Sequence, residues 1–167
     1  MTAVSLLVLL VFGGVVQAVA PSAAWLGEVR PPVLAALVVY YALSRDRAVV
    51  LWVAVLAGLV QDALGPVPLG TSSFGFGVAG LLVHRFRGEV FVWSGLTHAV
   101  MGALTAGGVT LATGVLLRAT GQIALPAARI LHKGTAALLL GAMTAPIVCR
   151  LAERQERMLG LLPEARP

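Results

Sequence analysis

Six apolar runs follow one another along this chain, separated only by short segments that hold most of its arginines and prolines. Runs with so little charge must be buried, either in a protein core or in a bilayer, where about twenty apolar residues complete one crossing. Composition decides between the two. Of the 167 residues, 59% are hydrophobic and 11% charged, and the mean hydropathy is +0.94. A soluble domain of this size needs a polar shell that so few charges cannot supply, whereas lipid removes the need for one. The expected fold is therefore all-α, a polytopic membrane helix bundle with about six transmembrane helices. It would occupy residues 1–150, with a cytoplasmic basic tail over 151–167 that starts helical and then frays.

The first run extends from Val4 to Ala20. Ala18, Val19 and Ala20 resemble a signal-peptide cleavage site, but no Lys or Arg precedes the run and Pro21 would follow the cut, so it reads as a membrane helix. A mixed stretch from Ser22 to Pro32 places Trp25 where a membrane–water interface suits it. Val33 to Ser44 is apolar but short, and predicts either a partial or re-entrant helix or a crossing that borrows its flank. Ala48 to Leu64 forms the third run. A rigid turn from Gly65 to Gly70 follows, in which Pro66 and Pro68 oppose helix continuation. Ser72 to His84, Val90 to Leu117 and Ile130 to Cys149 complete the set. Pro146 removes a backbone donor and is expected to kink the last helix.

The net charge is +5, yet the arginines sit in clusters between apolar runs rather than along one basic face with interleaved aromatics. That pattern sets topology and argues against nucleic-acid binding. Arg45, Arg47, Arg85, Arg87, Arg150, Arg154 and Arg157 follow the second, fourth and sixth runs; Arg30, Arg118, Arg129 and Lys133 lie on the other side. The positive-inside rule then places both termini in the cytoplasm. Arg150, Arg154 and Arg157 are candidate contacts for anionic lipid or a cytoplasmic partner, though Glu153 and Glu156 interrupt the patch and plain topology explains it as well.

Few residues carry candidate chemistry. Gly75, Gly77 and Gly80 match G-x-G-x-x-G by letter, but inside an apolar helix, without the strand or the later acid that a dinucleotide site requires. Cys149 is the sole cysteine and reads as a small buried residue. His98 and His132 have no further ligand at metal spacing, so neither a metal nor a cofactor is expected. No nucleophile–base set or carboxylate pair lies at membrane depth, which argues against an enzyme. Asp62 is the informative acid. A carboxylate ending a membrane run is costly unless paired or wetted, and a helix C-terminus disfavours an anion. Compensation is expected from a loop amide, Gln61, Thr71, Ser72, Ser73 or a basic group on another helix. Small residues recur at four-residue spacing, at Ala54 and Gly58, Gly75 and Ala79, Gly102 and Ala106, and Ala137, Gly141 and Ala145. Such rows let helices approach closely, mostly within the bundle, with a partner's helix as the sharper alternative.

Gly58-Leu59-Val60-Gln61-Asp62, a short turn, Pro68-Leu69-Gly70 and a Gly-rich apolar helix together resemble the rod shape-determining protein MreD family. The resemblance is specific over about thirty residues and rests elsewhere on hydropathy. An aromatic common further along that family's helix is absent or displaced here, where Leu81-Leu82-Val83-His84 precede Phe86. The resemblance implies a non-enzymatic scaffold of the bacterial cell-elongation machinery in the inner membrane. Implied partners are MreC, with MreB, RodA, a class B penicillin-binding protein and membrane lipid. It also implies a fold similar to the substrate-binding subunits of energy-coupling-factor transporters. Gly58, Asp62, Pro68, Leu69 and Gly70 carry the motif. They are expected to fix the corner between the third and fourth helices, with Asp62 either anchoring it internally or bonding a partner.

The alternative function is a substrate-binding membrane subunit of a vitamin-type transporter. It requires a polar cavity, for which His98, Thr105, Thr110, Thr113 and Asp62 are nearly the whole supply.

Overall fold

The computed structural model describes residues 2–21, 29–65, 67–88, 94–123 and 126–160. Trp25, Pro66, Glu89 and the tail beyond Gly160 lie outside the described residues. Six helices are present among the described residues: α1 (Thr2–Val19), α2 (Val33–Ser44), α3 (Arg47–Ala63), α4 (Thr71–Phe86), α5 (Gly95–Ala119) and α6 (Ala127–Met158). The apolar runs predicted them closely, with two differences. α5 begins after Ser94, whose side chain accepts a hydrogen bond from the Thr97 amide as an N-cap. α6 runs past its apolar run at Cys149 to Met158, as a tail that begins helical implies, with Pro146 inside the helix.

Helix α2 is the axis of the bundle. Every residue from Val33 to Leu43 is buried, and the helix packs against all five others. Its apolarity therefore fills a protein core rather than facing lipid. At 12 residues it is about 18 Å long, well short of a bilayer's hydrocarbon thickness. Among the described residues, α5 and α6 are the two helices long and apolar enough to cross a membrane unaided. The expectation of six full crossings thus narrows to six helices, two of them of that length.

The outer surface is apolar. Phe12 on α1, Trp52 on α3, Phe74 on α4, Leu104 on α5 and Met143 on α6 all point outward, a distribution that monomeric soluble proteins avoid. Small residues serve contacts within the chain. A Cβ on Gly102 would come within 2.1 Å of the Ala145 Cβ, and one on Gly141 within 2.6 Å of the Gly102 carbonyl oxygen. This row brings the backbones of α5 and α6 together.

The bundle has two ends. One carries the C-termini of α1, α3 and α5 and the N-termini of α2, α4 and α6; the other carries the α2–α3 and α4–α5 connections and the end of α6. At the first end, caps come from neighbouring helices. Gln17 on α1 accepts from the Leu34 amide in the first turn of α2, 3.1 Å away, and donates to Gln61 on α3. Amides at a helix start have no partner in their own helix and find none in lipid, so a neighbour's side chain must supply one.

Candidate functional site

The corner between α3 and α4 is built from three motif residues, each with a separate task. Gly58 permits the approach. A Cβ there would lie 2.2 Å from the Ser73 Cα and 2.3 Å from its nitrogen, so the two backbones touch where any side chain would part them. Ser73 completes the contact by donating its hydroxyl to the Val55 carbonyl at 3.1 Å.

Asp62 lies one turn further along the same face of α3 and is 2% exposed. Its carboxylate accepts from the Gly70 amide at 2.7 Å and the Ser72 amide at 3.1 Å. These are N-terminal amides of α4, whose N-cap residue Gly70 has no side chain to serve them. Asp62 therefore caps α4 from across the turn. The positive end of the α4 dipole offsets the unfavourable position of the acid at the C-terminus of α3. The compensation expected for this carboxylate comes from backbone amides, and Asp62 braces the corner internally.

Gly70 makes the turn possible, with φ of +99°, a region that costs other L-residues strain. Pro68 and Leu69 form the outer side of the turn. The Pro68 carbonyl accepts from the Thr71 amide, and Leu69 is 73% exposed. The five motif residues thus come together as one unit, with Gly58, Asp62 and Gly70 setting the backbone and Leu69 presented outward.

Arg150, Arg154 and Arg157 lie on the exposed face of α6 at the opposite end, and Arg157 pairs with Glu153. Glu156 does not interrupt that patch. It points inward, 1% exposed, and accepts from Arg45 at 2.8 Å and from the Tyr40 hydroxyl at 3.1 Å. Sequence reasoning missed this cluster, although a signal was present. Gly141, Ala145, Cys149, Ala152 and Glu156 follow helical spacing, and all are buried. Cys149 rests against the Ala36 carbonyl, and His84 Nδ1 lies 3.1 Å from that of Ala42. No group of three His, Cys, Asp or Glu among the described residues could hold a metal ion.

Of the polar residues expected to supply a cavity, Thr110 and Thr113 line one, together with Gln61 and Lys133. His98 and Thr105 are buried on α5 elsewhere.

An apolar-surfaced helix bundle whose distinctive site is a braced corner defines a membrane protein organised around architecture. The family model for rod shape-determining protein MreD matches residues 1–117, from α1 through nearly all of α5 and including the whole corner, and the chain belongs to that family. No curated protein and no solved structure matches it, so the expected likeness to energy-coupling-factor transporter subunits is without support. Membership of the family gives the protein a role in rod-shape determination.

Proposed function

We propose that this chain is a non-enzymatic scaffold of the bacterial cell-elongation complex. It crosses the inner membrane several times with both termini in the cytoplasm. It binds MreC and links it to other elongation proteins, among them MreB, RodA and a class B penicillin-binding protein. The family match over residues 1–117 carries this reading. Two features support it. The most distinctive acid, Asp62, is occupied in holding α4, and the arginines concentrate at the end that would face the cytoplasm. In this reading the rigid corner presents Leu69 to a partner on the extracytoplasmic side.

Affinity capture of the tagged chain from mild detergent, followed by mass spectrometry, tests the proposal. Recovery of MreC with wall-synthesis proteins is expected. Consistent recovery of the chain alone, from cells that contain MreC, would remove the scaffold role.

A further inference from the structure

At the corner end of the bundle, α2, α4, α5 and α6, with Gln61 at the end of α3, line a partly open cavity of about 330 Å³. Its wall is mostly apolar, with Phe76 and Val109 contributing, and Gln61, Thr110, Thr113 and Lys133 bring polar groups to it. Sufficient volume, apolar walls and a few convergent polar side chains are the ingredients of a small-molecule site.

Lys133 sets the class of ligand. It is the chain's sole lysine and is half-buried. None of the described residues lining the cavity is an acid. The ion pairs formed among the described residues, Arg45–Glu156 and Arg157–Glu153, lie at the other end of the bundle. A cation beside apolar walls, with no counter-ion among the described residues, is costly, and an incoming anion relieves that cost through charge-assisted hydrogen bonds.

We propose that this cavity binds a small amphiphilic acid. Its carboxylate or phosphate meets Lys133, with Thr110, Thr113 and Gln61 as hydrogen-bonding neighbours, and its hydrocarbon part lies along Phe76 and Val109. The volume corresponds to about eleven waters at ~30 Å³ each, room for one short chain. Two sources offer this chemistry: a single-chain acid from the bilayer, and a water-soluble aromatic acid. The inference does not depend on MreC binding.

The test is calorimetric titration of the full chain in neutral-lipid nanodiscs, with empty nanodiscs as the blank and decanoate, decanol and benzoate as probes. Saturable decanoate binding is expected, with decanol weaker by about ten-fold or more. Lys133→Gln should weaken decanoate by a similar factor and leave decanol unchanged. Benzoate binding with the same Lys133 dependence, in place of decanoate, would support the site and assign it an aqueous source. Absence of saturable binding by both acids, or equal acid binding by wild type and Lys133→Gln, would overturn the proposal. Should Lys133→Gln fail to fold, Lys133→Met, which removes the same charge and keeps the length of the stem, gives the same comparison.

Discussion

Arg45, at the end of α2, and Glu156, near the end of α6, meet at 2.8 Å although 111 residues separate them in the chain. Arg45 lies within the family-matched region and Glu156 beyond it. The pair therefore ties α6 to the central helix at the arginine-rich end, and Tyr40 adds a second hydrogen bond to the same carboxylate oxygen. Removing Arg45 strands the buried Glu156 carboxylate, a larger loss than the pair's own net contribution.

Arg45→Met alone should destabilise the bundle by about 3 kcal/mol, and Arg45→Met with Glu156→Leu should recover most of that. Thermal unfolding in detergent, arranged as a double-mutant cycle with Glu156→Leu alone, measures the coupling. Additive losses would show that the pair is not coupled.

Asp62→Leu removes the acceptor for the Gly70 and Ser72 amides, which lipid cannot replace. The expected cost is on the order of 3 kcal/mol, since each bond to a charged group is worth about 1.5–3 kcal/mol. Asp62→Asn keeps an acceptor oxygen and should fall between wild type and Asp62→Leu. Thermal unfolding of the three proteins gives the order directly.

Gly58→Ala forces a methyl group against the Ser73 backbone. The cost should reach or exceed the roughly 1–3 kcal/mol usual for overpacking, because backbone cannot rotate aside. Gly77→Ala on α4, where a Cβ would meet nothing within 4 Å, is the control and should be neutral or slightly stabilising through helix propensity. Equal melting temperatures for the two variants would contradict the close approach of α3 and α4.

Much of this architecture was legible because apolar runs and helices coincide; α2 matches its run residue for residue. What each apolar helix faces was not legible. Lipid and protein core select the same residue types, so the apolarity of α2 could not reveal that the helix is the centre of the bundle. Asp62 stood out because an acid at membrane depth must be compensated. A loop amide was among the partners expected for it, but which amides could not be read, because every residue but proline carries one. Glu156 was hidden by its neighbours. Glu153, Arg154 and Arg157 made the segment look like a solvated tail, and only the small-residue stripe from Gly141 to Ala152 marks the face on which it lies.

Leu69→Asp should keep stability within about 0.5 kcal/mol of wild type, since the side chain is largely exposed. On the scaffold reading it should nonetheless reduce the MreC recovered by affinity capture. Gly58→Ala should reduce recovery as well, but through loss of the corner, and its altered melting separates the two causes.

The most direct test of the scaffold account is in-cell photocrosslinking from a photoreactive residue at position 69. Position 139 serves as the control, because Leu139 is similarly exposed on α6. An MreC adduct from position 69 and none from position 139 is the predicted result. No adduct from position 69, in cells where capture still recovers MreC, would contradict the claim that the braced corner presents its outer residue to this partner.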